Sequence, residues 1–142
     1  MNGTGILLHS IQNGILLGPT TFAGIEIDEV LSGRDDPAFE REWLQLFEQV
    51  KDTNLTEGET RDLNHLREAA FKAAFKHSSD PDLSGYISDD FEVIAKGAAS
   101  NREDDFLTAL LESYAAGTIP HHRIAGPRSS LRSLLESLRQ HQ

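Results

Sequence analysis

Apolar residues along most of this chain recur every three to four positions, the spacing of a helix with one buried face. Four such runs fall between residues 36 and 117, and a fifth lies within residues 128–140. Their apolar positions, in chain order, are Phe39, Trp43, Phe47 and Val50; Leu63, Leu66, Ala70, Phe71, Ala74 and Phe75; Phe91, Ile94, Ala95 and Ala98; Phe106, Leu107, Leu110, Leu111 and Tyr114; and Leu131, Leu134, Leu135 and Leu138. The pattern predicts a mostly α protein, with a helical core at 36–117 and a C-terminal helix at 128–140.

Capping signals predict where these helices begin. Asp36 precedes a proline, the combination that suits a helix cap and the first helical position. Thr56 opens a capping box with a glutamate three residues later, and Ser100 opens a second one. Between them, Ser88 stands before two aspartates and is predicted to begin the third helix.

Residues 1–33 show a different pattern. Two short apolar runs flank Asn13 and Gly14, and Asn-Gly between apolar runs is a strong hairpin signal. Ile25 and Ile27 then alternate with polar residues, as in a third strand or an extended arm. A length of 142 residues suits one domain. The sequence therefore predicts one compact domain of about five helices over residues 1–142, with a short N-terminal β-hairpin or extended arm.

Composition narrows the class of protein. Hydrophobic residues make up 38% of the chain and charged residues 25%, which is typical of a globular protein. The sequence has no cysteine, no signal-like N-terminus and no apolar run long enough to span a bilayer, so we expect a cytoplasmic protein. The formal net charge of -10 disfavours binding to nucleic acid or to a membrane surface, and it favours basic partners.

Residues 80–92 resemble a calcium loop at several positions. The first, third, fifth and sixth positions of an EF-hand loop are matched by Asp80, Asp82, Ser84 and Gly85. The twelfth position, which needs a glutamate to close the loop on the ion, is Phe91. We therefore interpret this segment as a turn followed by an acidic helix start, and keep a degenerate calcium-binding module as a minor alternative.

Enzyme signatures are missing from the sequence. It contains no P-loop, no HExxH, no G-x-S-x-G and no dinucleotide fingerprint. His121 and His122 form the only histidine pair, and adjacent side chains in a loop point apart more often than they share a metal. We expect a protein that is not an enzyme and that has neither a metal nor another cofactor.

Two stretches carry a family resemblance: YISDDFEVIAKG at residues 86–97 and LLESYAAGTIP at residues 110–120. They resemble the small acidic immunity proteins of bacterial polymorphic toxin and contact-dependent inhibition systems. The resemblance implies a protein that binds one toxin tightly, needs no cofactor, and is acidic because many such toxins are basic nucleases. It assigns no functional residue by match.

The acids between residues 78 and 117 are the candidate contact face for a basic toxin domain. This region carries nine acids against Lys96 and Arg102. Charge complementarity of this kind raises association rates and selects partners. A second alternative is a helical adaptor or self-assembling protein that pairs strands through the N-terminal hairpin. The predicted partner-binding residues are Asp80, Asp82, Asp89, Asp90, Glu92, Glu103, Asp104 and Asp105.

Overall fold

A computed structural model describes residues 2–142 of the chain. Within that range the protein is 70% helical, forms eight α-helices and has no strand. The helices are α1 (Gly3–Gln12), α2 (Pro19–Phe22), α3 (Ile27–Arg34), α4 (Pro37–Val50), α5 (Glu57–Ser78), α6 (Pro81–Ala99), α7 (Asp105–Ala115) and α8 (Leu131–Gln140). The prediction of a mostly α protein is confirmed, whereas the count of five helices and the N-terminal β-hairpin are wrong. No helix in residues 2–142 combines the length and apolar character needed to cross a membrane.

The N-terminal segment is helical because its apolar residues also fit a helix. The side chain of Asn2 accepts a hydrogen bond from the backbone N–H of Gly5 and so caps α1. Asn13 and Gly14, interpreted above as a hairpin turn, end α1 instead, and Gly14 adopts a φ of +79°. The apolar run packs into the core through Ile6, Leu7, Leu8 and Ile11. Strand pairing between copies through this segment therefore has no structural basis.

The segment that resembles a calcium loop is also helical. Asp80 caps α6 by accepting a hydrogen bond from Leu83 N–H, and Pro81 is its first residue. The helix continues through Gly85, so the predicted helix start at Ser88 is wrong by two turns. An EF-hand needs a loop that folds around the ion, and a continuous helix cannot supply one. Phe91 is fully buried, in agreement with its assignment to the core.

The two longest helices form the centre of the fold. Only two residues, Ser79 and Asp80, join α5 to α6, and this short link makes the two helices antiparallel neighbours. Helices α1, α4 and α7 pack around this pair, and α8 packs on α1 and α7. One hydrophobic cluster runs through all of them. Phe71 and Phe75, predicted to lie in the core stripe of α5, are instead exposed and stack on each other with ring centroids 6.2 Å apart. Leu63, Leu66, Ala70 and Ala74 form the buried stripe.

The two ends of the chain meet in the fold. Helix α8 packs on α1, and Leu131 and Leu138 are its buried residues. The side-chain amide of Gln142 donates to Ile6 O at 2.7 Å and to Ser10 Oγ at 3.0 Å. Helix α8 therefore closes the core over the face of α1 that the other helices leave uncovered.

Candidate functional site

A buried carboxylate joins four elements of the fold below one part of the surface. Asp90 on α6 has an exposed fraction of 0%. Its Oδ1 accepts hydrogen bonds from Arg34 Nη2 at 2.7 Å and from Trp43 Nε1 at 2.8 Å. Its Oδ2 accepts from Arg34 Nη1 at 2.7 Å and from the Tyr114 hydroxyl at 2.6 Å. With four donors, the buried charge is fully satisfied, as a buried carboxylate has to be.

Arg34 is the cation of this network and is itself buried. Besides its two bonds to Asp90, it donates to the carbonyl oxygen of Pro120 at 3.2 Å. Burial by itself would lower the pKa of Arg34, but the charge and hydrogen bonds of Asp90 outweigh it and raise that pKa. The guanidinium carbon lies 4.8 Å from the ring centre of Phe39 and 5.5 Å from that of Tyr86. Arg34 thus connects the buried pair to an aromatic residue at the surface.

Directly above the network, α3, α4 and α6 surround a shallow cleft. Two large apolar side chains stand exposed at its edge: Leu44, at 50%, and Tyr86, at 41%. Asp82 precedes Tyr86 by four residues on α6, so the two side chains lie on one face of that helix. Besides the paired Arg34, the charged side chains that line the cleft are all acids. We call this surface the acidic–aromatic face: Asp35, Glu40, Trp43, Leu44, Asp82, Tyr86 and Asp89.

Asp89 differs from its neighbour Asp90 in how its charge is stabilised. It is half-buried, and Arg67 Nη2 donates to its Oδ1 at 2.7 Å. Burial raises the pKa of the Asp89 carboxyl, and the lowering effect of Arg67 does not cancel this. Asp89 is therefore a carboxylate in an incompletely hydrated position at the edge of the cleft.

The structure separates the other acids predicted to form one contact face. Glu92 is turned toward α5, where Arg67 Nη1 donates to it at 2.6 Å, and Lys96 donates to it at 3.1 Å. Asp90 is buried, so its assignment to a surface in contact with a partner is wrong. Asp80 and Asp82 lie at the beginning of α6, whereas Glu103, Asp104 and Asp105 follow its end. The 19 residues of α6 place these two groups about 28 Å apart, so they do not form one patch.

Sequence reasoning missed the residues that organise the site. Arg34 is the first Lys or Arg of the chain and follows a segment of 33 residues without either, which was a usable signal that it has a specific role. Trp43 was assigned to the core by its spacing, but its indole N–H reaches Asp90 across 47 positions. Tyr86 gave no signal in the sequence, because its exposure depends on α6 extending beyond the predicted start.

A second exposed aromatic surface lies on α5, where lysines lie beside the aromatic rings. Phe71 and Phe75 are both partly exposed, and each is followed by a lysine, Lys72 and Lys76. Glu68 pairs with the first of these lysines, with the side chains in contact at 2.5 Å. With two lysines and one glutamate, the surface on α5 lacks the excess of acids found at the acidic–aromatic face.

One group of side chains has the composition of a metal site. Ligand atoms of Glu29, His121 and His122 all lie within 4.8 Å of one another. The ring centroids of the two histidines are 5.3 Å apart, so the expectation that these adjacent side chains point apart is wrong. This cluster is separate from the acidic–aromatic face, although both lie along α3.

The comparisons with known proteins give one finding about the family. A family model described as Immunity protein PIM1 matches residues 6–121 of the chain. A comparison with curated proteins gives no significant match. The matched stretch runs from α1 to the loop after α7, and it includes every residue of the acidic–aromatic face and of the network below it.

Proposed function

We propose that this chain, which belongs to the Immunity protein PIM1 family, neutralises a toxin by binding it through the acidic–aromatic face. Membership of the family implies a protein partner and supports an inhibitory role. Inhibition by binding, without catalysis by the chain itself, is part of our proposal. The specific surface and the basic character of the toxin are our proposal, and they depend on the arrangement of exposed side chains at the cleft.

The observation that supports this surface is the combination of exposed apolar side chains with acids. Tyr86 and Leu44 lie above a buried network and carry the apolar area that dominates binding energy in protein interfaces. Acids surround them, which matches the usual arrangement of an apolar centre and a polar rim. A basic toxin surface with an apolar centre is the complementary partner.

The surroundings of Asp89 favour a cationic group in the partner. Because its charge is poorly hydrated, an arginine or lysine from a partner loses less by displacing the remaining water than it would at a fully exposed carboxylate. Arg67 already occupies one side of Asp89, on the side of α5. The approach from the cleft is the one that the partner would use.

The buried network keeps this surface in one conformation before binding. Asp90 ties together α3 through Arg34, α4 through Trp43 and α7 through Tyr114. Tyr86 stacks over Arg34 at the same point. A face that is ordered in advance loses less conformational entropy on binding, so more of the contact energy appears as affinity.

A growth assay with matched variants tests the proposal. The candidate toxin to be tested is the product of a reading frame next to this gene, and it is expressed with or without the chain. We expect the chain to restore growth, and Leu44→Ala/Tyr86→Ala to lose protection with a dissociation constant raised at least about 30-fold, because both side chains are interface anchors.

The matched control is Phe71→Ala/Phe75→Ala, which also removes two exposed apolar side chains, but from the surface on α5. It should protect as well as the unmodified chain. Equal protection by the cleft variant and the control would refute the assignment of the face. A chain that fails to protect at all would refute toxin neutralisation itself.

A further inference from the structure

We propose that Glu29, His121 and His122 form a zinc-binding site that joins the loop after α7 to α3. Their ligand atoms lie within 4.8 Å of one another. Two imidazoles and one carboxylate are a ligand set that suits Zn²⁺ and other borderline divalent metals rather than Ca²⁺ or Mg²⁺. None of the three residues belongs to the acidic–aromatic face.

His121 is oriented as a metal ligand usually is. Its Nδ1 lies 2.8 Å from the carbonyl oxygen of Ile119. A carbonyl oxygen only accepts, so Nδ1 is the nitrogen that carries the proton in the neutral ring, and Nε2 then offers its lone pair to a metal. A backbone carbonyl that fixes the ring and its tautomer in this way is a common feature of histidine ligands.

The backbone of His122 brings two consecutive histidines to the same side. Its φ of 54° is left-handed, a conformation that costs a residue with a side chain about 1 to 2 kcal/mol. The N–H of His122 donates to Gly33 O at 2.9 Å, which fixes the loop against α3. A side chain at Gly33 would collide with the rings, since its Cβ would come within 2.7 Å of His121 Cδ2 and 2.9 Å of His122 Cδ2.

Glu29 completes the group from α3. It precedes Gly33 by four residues, so its side chain lies on the helix face that the two rings cover. Tetrahedral zinc holds its ligand atoms about 3.3 Å apart. Glu29 and His122 are exposed, and small side-chain rotations are enough to close the remaining gap of about 1.5 Å. Three protein ligands leave a fourth position for water.

A bound ion would stabilise the loop next to the buried network. Pro120 directly precedes the two histidine ligands, and its carbonyl oxygen accepts a hydrogen bond from Arg34. Glu29 and Arg34 both belong to α3. A zinc ion would therefore add a second link between α3 and the loop, beside the hydrogen bond from Arg34 to Pro120. An ion that binds the folded chain but not the unfolded chain raises the melting temperature by mass action.

Titration of the full, tag-free chain with ZnCl₂ in a calorimeter tests the site. We expect one ion per chain and a melting temperature raised by about 5 °C at saturating zinc and restored by EDTA. MgCl₂ and CaCl₂ at the same concentration should leave the melting temperature unchanged. Glu29→Gln and His122→Asn should each weaken zinc binding at least about tenfold, because each removes one of three ligands.

His9→Asn is the matched control, since His9 is an exposed histidine on α1, away from the cluster. It should bind zinc like the unmodified chain. Asparagine suits the left-handed backbone at position 122, and melting temperatures measured in EDTA confirm that each variant is folded. The site is refuted if the unmodified chain binds no zinc, or if either ligand variant binds it as tightly as His9→Asn does.

Discussion

Asp89 and Asp90 are adjacent carboxylates on α6 with opposite surroundings. Asp90 accepts four hydrogen bonds inside the fold, whereas Asp89 has one partner, Arg67, and remains half-exposed. One residue along a helix turns the side chain by about 100°, which is enough to move it from the core to the edge of the cleft. The sequence presents the two as equivalent members of an acidic run. Only Asp89 can contact a partner, while Asp90 acts by positioning Trp43 and Tyr114.

Tyr114 makes the fold less stable at alkaline pH. Burial, and then the negative charge of Asp90, raise the pKa of the Tyr114 phenol well above 10. Its folded pKa exceeds its unfolded pKa, so its contribution to stability is complete below about pH 10 and is lost as the pH rises further. The free energy of unfolding of the unmodified chain should fall more steeply above pH 10 than that of Tyr114→Phe. At pH 7 the variant should be less stable by about 1 to 3 kcal/mol, because a hydrogen bond to a charged acceptor is lost.

Urea denaturation at closely spaced pH values between 7 and 11 measures both effects. The two proteins share every ionisable group except Tyr114, so the difference between the two curves isolates that phenol. Parallel curves over the whole range would contradict the buried hydrogen bond between Tyr114 and Asp90.

At the scale of elements, sequence reasoning succeeded where the helical period and the caps agreed. The starts of α4 at Asp36 and α5 at Thr56 are confirmed by side-chain hydrogen bonds to the third residue of each helix. It failed at Asn13-Gly14 and at Gly85, because glycine and asparagine serve both turns and helix ends, and a helix tolerates a glycine at a cost of about 1 kcal/mol. The predicted capping box at Ser100 is also wrong, because Ser100 ends α6 and Asp104 caps α7 by accepting a hydrogen bond from Leu107 N–H. The site depends on pairings such as Arg34 with Asp90, 56 positions apart, which no local pattern contains.

Two glycine substitutions distinguish the helical structure of α6 from a turn. Gly85 has no heavy atom within 4 Å of the position where a Cβ would stand, and it lies inside the helix. Gly85→Ala should therefore stabilise the chain by about 0.5 to 1 kcal/mol. Gly14 has equal space but a φ of +79°, so Gly14→Ala should destabilise it by about 1 kcal/mol. Thermal melting measures the change in stability for each variant. Destabilisation by Gly85→Ala would indicate a turn at that position.

At the scale of the whole molecule, the charge of -10 is distributed over separate surfaces. Acids at the beginning of α6 lie beside the aromatic cleft, and those before α7 lie about 28 Å away, at the other end of α6. A general negative charge would attract a basic partner from any direction, whereas a specific face orients the encounter. The separation of the two groups makes it practical to distinguish these two effects by mutation.

The most direct test of the acidic–aromatic face compares two variants that lose the same charge. Glu40→Gln/Asp82→Asn neutralises two acids of the face, and Glu103→Gln/Asp105→Asn neutralises two at the distal group. Stopped-flow mixing with the toxin, at low and at physiological salt, measures the association rate constant of each variant. We expect the first variant to associate about tenfold more slowly at low salt and to lose most of its salt dependence, while the second stays within about twofold of the unmodified chain. Equal slowing of both variants, or slowing by the distal variant alone, would contradict binding through the acidic–aromatic face.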